Sequence, residues 1–180
     1  MTLKFLQKST TFVILLSLGG VVQASEELGE DGIVDHDFKE KKWVEQAINI
    51  PALPKSRNLI QLEFPNAVRK YYIDSKSVSV GKKDRVARYT VIVESLSGVR
   101  NLFYEAIRCH EKDYKTYAYS VGKQGFQKMN EVSWKPIHES GIKQYQQVLF
   151  DHFVCHNSAV RRKAKDIIQV LKYPPVANEP

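Results

Sequence analysis

Alternation of apolar and polar residues predicts a run of β-strands through the middle of the chain. Residues 85–95 are apolar at every second position, and residues 99–109 are apolar on both sides, as in a central strand covered on both faces. Pro136 indicates a sheet edge, because proline cannot donate a hydrogen bond to a neighbouring strand. The other predicted strands are 59–64, 69–74, 77–80, 114–121 and 131–137, which contains Pro136.

Helical spacing is found on both sides of this β-region. Residues 38–50 predict a short helix that Pro51 ends. Apolar residues then recur every three to four positions in 142–153 and again in 160–171, where Ser158 is the expected N-cap. The pattern predicts the α+β class, with an antiparallel β-meander sheet and two C-terminal helices packed on it.

The first 24 residues have the layout of a cleaved secretory signal. Lys4 and Lys8 precede an apolar core at 12–18, two glycines follow, and Val22-Gln23-Ala24 fits the positions that a signal peptidase reads. A membrane anchor is the alternative, but a span of about 20 apolar residues would have to include charged ones. We therefore expect cleavage after Ala24, a periplasmic protein, and no transmembrane segment in the remaining chain.

Charge divides that remaining chain into two parts. The formal net charge is +7, which falls to +5 without the two signal lysines. Residues 25–38 contain six acids and no base, so residues 39–180 carry +11. We expect 25–38 to be a disordered acidic arm, or one that folds back over a basic surface. Residues 39–173 have the size of one α+β domain, and 174–180 are expected to be a frayed tail.

Cys109 and Cys155 are the only cysteines in the sequence. In an oxidising compartment such a pair predicts one disulfide, which would join the end of the central strand to the end of the first C-terminal helix. Free buried thiols or a metal-ligating cysteine are the alternatives.

Few side chains indicate catalysis or a cofactor. His152 and His156 have a spacing that suits a metal on a helix, but no carboxylate accompanies them, so no metal site is predicted. Glycine-rich phosphate loops, haem-attachment motifs and nucleophile elbows are absent from the sequence, and no cofactor is expected.

Glu105 and Arg108 lie three apart on the central strand, on opposite faces, and predict a polar core. Either each has a charged partner, or Glu105 lines a functional pocket.

Basic residues are concentrated in two segments, at Lys82-Lys83 and at Arg161, Arg162 and Lys165. They are either a solvated face or a site for an anionic partner. Outside the cytosol such a partner would be a lipid head group or a polysaccharide, and nucleic acid is not expected.

Five strings in the central region together resemble one known family. Over residues 40–172 the chain is similar to the cryptic neisserial protein family, uncharacterised β-proteobacterial proteins with a CNP-one-like domain. The resemblance implies a Gram-negative periplasmic or envelope protein and supplies no catalytic residues. Some relatives are lipoproteins, but no cysteine lies near the predicted cleavage site here. The strings are Tyr72-Ile73-Asp74, Arg88-Tyr89-Thr90, Ser95-Leu96-Ser97-Gly98-Val99-Arg100-Asn101, Tyr104-Glu105-Ala106-Ile107-Arg108-Cys109 and Trp134-Lys135-Pro136-Ile137.

These features predict a non-enzymatic binding or interaction module with a basic face. One alternative is a small hydrolase that uses a pocket around Glu105 together with a histidine. Another is a structural accessory subunit of an envelope complex, which would make contact through the tyrosine-rich strand at 114–119.

Overall fold

Most of the chain after residue 41 forms one antiparallel sheet with a helical layer on it. The structure is a computed structural model that describes residues 42–63, 67–122, 124–137 and 145–174. The predicted signal sequence and acidic arm lie outside these residues, as does nearly all of the predicted tail. None of the helices in the described ranges has the length and apolarity needed to cross a membrane.

The sheet confirms the predicted β-meander. Its six main strands follow the order β1-β2-β4-β5-β6-β7, while β3 pairs with β4 and β8 pairs with β6, always antiparallel. The strands are β1 (Leu59–Leu62), β2 (Lys70–Asp74), β3 (Ser79–Val80), β4 (Ala87–Glu94), β5 (Arg100–Arg108), β6 (Asp113–Val121), β7 (Gln127–Lys128) and β8 (Lys135–Pro136).

Both faces of the central strands β4 and β5 are covered, as the apolar pattern predicts for β5; β4 is buried on both faces although only one face of its segment is predicted to be apolar. One face carries the larger core, in which Tyr89 and Ile107 pack with Leu149 and Ile167 of the helical layer. The opposite face carries a smaller core around Tyr104, covered by side chains of residues 42–50 and 126–134. We call these the helix face and the loop face of the sheet.

The helical layer begins with α1 (Tyr145–Val148), which continues as a π-helix, Leu149–Val154. A small hairpin of β9 (Cys155–His156) and β10 (Ala159–Val160) follows, and then α2 (Ala164–Lys172). A disulfide between Cys109 and Cys155, with Cα atoms 5.7 Å apart, joins this layer to the end of β5. The prediction of one disulfide is confirmed, and so is the α+β class.

The prediction that Ser158 begins the last helix is wrong. Ser158 and Asn157 form the tip of the β9–β10 hairpin, both with positive φ, at 59° and 48°. This two-residue turn matches the twist of the hairpin, and asparagine tolerates its backbone conformation. Helix α2 starts six residues later, where the Lys163 amide donates to Asp166 Oδ2.

The predicted helix at 38–50 is also wrong over its described part, because residues 42–50 form no helix. Their polar groups instead bind the turn between β3 and β4. The Trp43 indole donates to the Asp84 carbonyl at 3.1 Å, and the Gln46 amide donates to Asp84 Oδ2 at 2.9 Å. Gly81 makes this close packing possible, since a Cβ there would lie 1.8 Å from Asp84 Oδ1.

Candidate functional site

A cavity of about 650 Å³ lies on the helix face of the sheet, between β5, β6 and the start of α1. We call it the Glu105 cavity, because the Glu105 side chain lies in its wall. Five of its other lining residues are aromatic, and polar side chains from β5, β6 and α1 also line it. The aromatic side chains are Tyr71, Phe103, Tyr114, Tyr119 and Tyr145.

Glu105 is held by three neutral hydrogen-bond donors. Its Oε1 accepts from Tyr145 Oη at 2.8 Å, Thr116 Oγ1 at 3.0 Å and Gln146 Nε2 at 3.4 Å. The residue is only 2% exposed, and neither Oε2 nor the nearby Tyr89 hydroxyl makes a hydrogen bond of normal geometry. No lysine or arginine of the described residues forms an ion pair with it.

Burial decides the protonation of this carboxyl group. Removal from water raises the pKa of Glu105 to about 7, and the hydrogen bonds from Tyr145, Thr116 and Gln146 offset only part of that effect. The pKa of Tyr89 and that of Tyr145 are raised well above the usual value, by burial and by the Glu105 charge. The cavity wall therefore contains a carboxyl group that is close to half protonated at neutral pH.

Two local features bring these groups together. The β5–β6 register shifts between Tyr104 and Glu105, so that Tyr104 pairs with Ala118 and Glu105 with Thr116. The bulge turns the Thr116 hydroxyl toward the carboxyl group. Helix α1 begins directly over β5 and supplies Tyr145 from 40 residues away. Sequence reasoning missed Tyr145 and Thr116, since neither a bulge nor a helix docking site has a local signature.

Arg108 lies away from Glu105, on the loop face. Its guanidinium forms an ion pair with Asp113, with Nε 2.9 Å from Oδ1. It also stacks 4.8 Å from the ring centre of Trp43 and 4.3 Å from that of Trp134. Glu105 and Arg108 thus belong to two separate polar clusters, and Arg108 ties residues 42–50 to the sheet.

The six cations Lys82, Lys83, Arg85, Arg161, Arg162 and Lys165 are called here the basic cluster. The Arg85 guanidinium donates to the Val160 carbonyl at 3.4 Å, which brings the β3–β4 turn beside the segment that contains Arg161 and Arg162. A cleft of about 390 Å³ lies at this contact, lined by Trp43, Lys83, Arg85 and Val160 among others. No carboxylate of the described residues forms an ion pair with any of the six.

The described histidines lie outside the Glu105 cavity, although His110 lines the cleft beside Arg85 together with Glu111. His152 is exposed on the π-helix and His156 on β9, so they do not share one helical face. His110 is exposed beside Glu111. Among the described residues no group of three side chains is arranged to hold a metal ion, and no histidine there lines the Glu105 cavity.

Fold and site together define an α+β protein with a buried carboxyl group beside an open cavity and a separate group of cations that form no ion pair within the described ranges. The model of the CNP1-like family matches residues 38–172, so the chain belongs to this family, whose activity is not established. No curated protein and no solved structure matches the chain.

Proposed function

We propose that the protein is a non-enzymatic binding module of the periplasm that uses its basic cluster to bind anionic lipid head groups of the envelope. The observation that carries this proposal is the contact of Arg85 with the Val160 carbonyl, which joins two basic segments 75 residues apart in the chain. Two cation-bearing segments that meet without a carboxylate ion pair among the described residues favour an anionic ligand over a self-contained ion-pair network.

The backbone of Arg85 supports a binding role. Its φ of 57° is unfavourable for a residue with a side chain, by about 1 kcal/mol or more. The Arg85 amide donates to the Gly81 carbonyl at 3.1 Å, which closes the turn and holds that conformation. The turn thereby presents Lys82 and Lys83, both exposed, beside Arg85.

Trp43 favours a lipid surface among the anionic partners. It is 44% exposed at the edge of the cleft, although its indole N–H is already hydrogen-bonded to the Asp84 carbonyl. An exposed tryptophan beside lysine and arginine is typical of surfaces that contact the membrane–water interface.

The disulfide supports export to the periplasm. Bonds such as Cys109–Cys155 persist in oxidising compartments and are rare in the cytosol. This agrees with the secretory layout of the first 24 residues, and a periplasmic protein has access to anionic lipid head groups at the membrane surface.

Vesicle co-sedimentation tests the proposal. We expect binding to phosphatidylglycerol-containing vesicles at about 0.1 M salt, little binding to pure phosphatidylcholine, and loss of binding at about 1 M salt, where charges are screened within about 3 Å. The variant Lys83→Ala/Arg85→Ala should reduce binding about tenfold or more, since each basic residue near an anionic surface contributes about 1 kcal/mol.

A matched variant separates a defined site from general charge. Lys55→Ala/Arg57→Ala removes the same charge from exposed positions outside the cleft and should leave binding nearly unchanged. An equal loss of vesicle binding in both variants, or binding that does not weaken at about 1 M salt, would overturn the assignment of the basic cluster. Retention on an acidic polysaccharide without vesicle binding would instead assign the basic cluster to polysaccharide.

A further inference from the structure

We propose that the Glu105 cavity is a second binding site, for a small amphipathic anion with an aromatic or aliphatic body. The body would pack on the tyrosine and phenylalanine rings, and the acidic group would face either Arg69 or Lys135, which lie at opposite ends of the cavity. This site is on the helix face and shares no residue with the basic cluster, so it goes beyond the proposed function and can fail independently of it.

The size of the cavity fits such a ligand. Its volume of about 650 Å³ lies within the range of about 300–1,000 Å³ that is usual for small-molecule sites. Tyr145 of α1 contacts Glu105 at one wall of the cavity, and the rings of Phe103 and Tyr119 in the same cavity are half-buried. A ligand would therefore bury apolar surface that the fold itself leaves accessible to water.

The walls favour an apolar or ring-shaped body. Phe103 and Tyr119 lie opposite each other on β5 and β6, so their rings share one patch of the sheet. Two of the tyrosine hydroxyls already have partners, since Tyr119 donates to Gln127 Oε1 at 2.9 Å and Tyr145 donates to Glu105. With these polar ends occupied, the rings offer their apolar faces to a ligand.

The mouth of the cavity favours a negative group. Arg69 lies two residues before Tyr71, and Lys135 pairs with Tyr114 across β8 and β6, so each cation is placed beside an aromatic wall residue. Glu131 is the one acidic side chain among the exposed lining residues of the described chain, so cations outnumber carboxylates there by two to one.

The wall at Glu105 does not create a cation site. Its Oε1 already accepts three hydrogen bonds, and Oε2 is buried away from solvent. A cationic ligand would need a free, accessible carboxylate oxygen, and neither oxygen satisfies that need. Burial also raises the pKa of Glu105 to about 7, which weakens any repulsion of an anion.

Two fluorescent probes with the same ring system test the proposal. Anilinonaphthalene sulfonate carries a sulfonate, and N-phenylnaphthylamine has the rings without it. We expect both to bind the folded protein saturably at one site, with the sulfonate probe tighter by about tenfold through charge-assisted contacts at the mouth. Affinities would be measured by fluorescence titration, with thermal unfolding followed for every variant.

Exposed positions allow variants that leave the core intact. Arg69→Ala/Lys135→Ala should weaken the sulfonate probe about tenfold and leave the uncharged probe unchanged, whereas Arg57→Ala should affect neither. Ser133→Trp adds a ring at an exposed lining position and should abolish binding of both probes.

Three results would overturn the proposal. Equal affinity for the two probes would exclude a role for charge at the mouth. Unchanged binding of both probes in folded Ser133→Trp would place them elsewhere. Loss of the sulfonate probe in Lys83→Ala/Arg85→Ala, with Arg69→Ala/Lys135→Ala unaffected, would assign it to the basic cluster.

Discussion

Glu105 is a carboxyl group in the middle of the sheet whose hydrogen-bond partners are all neutral. Burying such a group is unfavourable unless it is hydrogen-bonded or protonated, and here both occur to some extent. Its Oε1 accepts from Tyr145, Thr116 and Gln146, yet burial still dominates and raises the pKa to about 7. The helical layer is thus held to β5 partly through a residue whose charge changes near neutral pH.

This shift predicts that the protein loses stability as the pH rises. The pKa of Glu105 is about 7 in the folded state and about 4.5 when unfolded, so the folded state binds more protons between these values. The contribution of Glu105 to the free energy of unfolding is full below about pH 4.5 and is lost as the pH rises to about 7. The total loss amounts to about 3 kcal/mol. Urea unfolding of the wild type and Glu105→Gln from about pH 5 to about pH 8 measures it.

Glutamine keeps an oxygen acceptor and cannot ionise, so Glu105→Gln should remove the decline and be the more stable protein at about pH 8. Glu45→Gln is the matched control. Burial raises the pKa of Glu45, but the bonds from Lys115 and Tyr117 outweigh that and lower it overall. Glu45→Gln should therefore lower the free energy of unfolding but leave its decline with rising pH above about pH 5 unchanged. A wild type whose stability is flat or rising from pH 5 to 8 would contradict the role given to Glu105.

At the scale of elements, residues 42–50 show how tertiary contacts override a local pattern. Apolar residues at Trp43, Ala47 and Ile50 have helical spacing, but a short helix there would have to give up the contacts with the β3–β4 turn. Asp84 is the centre of those contacts: Oδ2 accepts from Arg88 at 2.6 Å and from the Gln46 amide at 2.9 Å. These partners are distant in sequence, so no local signal reveals them.

Asp84→Asn should therefore destabilise the protein strongly. The Asp84 side chain is fully buried, and Arg88 opposite it is only 6% exposed. Breaking a buried pair typically lowers the free energy of unfolding by about 3–5 kcal/mol, and Glu45, 3.8 Å from Arg88 Nη2, should offset part of that loss. Urea denaturation would measure the change. The control is Asp166→Asn at the start of α2, an exposed position where the asparagine oxygen can still accept from the Lys163 amide, so the loss should stay below about 1 kcal/mol. Equal effects of the two variants would refute the central role of Asp84.

For the whole molecule, the sequence predicts the sheet better than the site. The two-residue period of β4 and β5, the edge position of Pro136 and the two cysteines lead to the observed α+β architecture, because these signals are local or nearly so. The Glu105 cavity depends on where α1 begins over β5 and on a bulge that shifts the register at Thr116. Those features arise when distant elements pack, which no pattern along the chain records.

Export concerns the whole chain, since it decides where the protein folds and whether Cys109 and Cys155 become oxidised. If the first 24 residues are a cleaved signal, the protein in the periplasmic fraction should begin at Ser25 and contain the disulfide. Leu15→Arg places a charge in the apolar core at 12–18 and should leave an uncleaved, reduced protein in the cytoplasm, whereas Leu15→Ile keeps the core apolar and should be exported normally. Intact mass, thiol labelling and cell fractionation distinguish the two variants. An intact Met1 in the envelope of wild-type cells would instead make the apolar core an anchor, and the basic cluster would then act on a protein already held at the membrane.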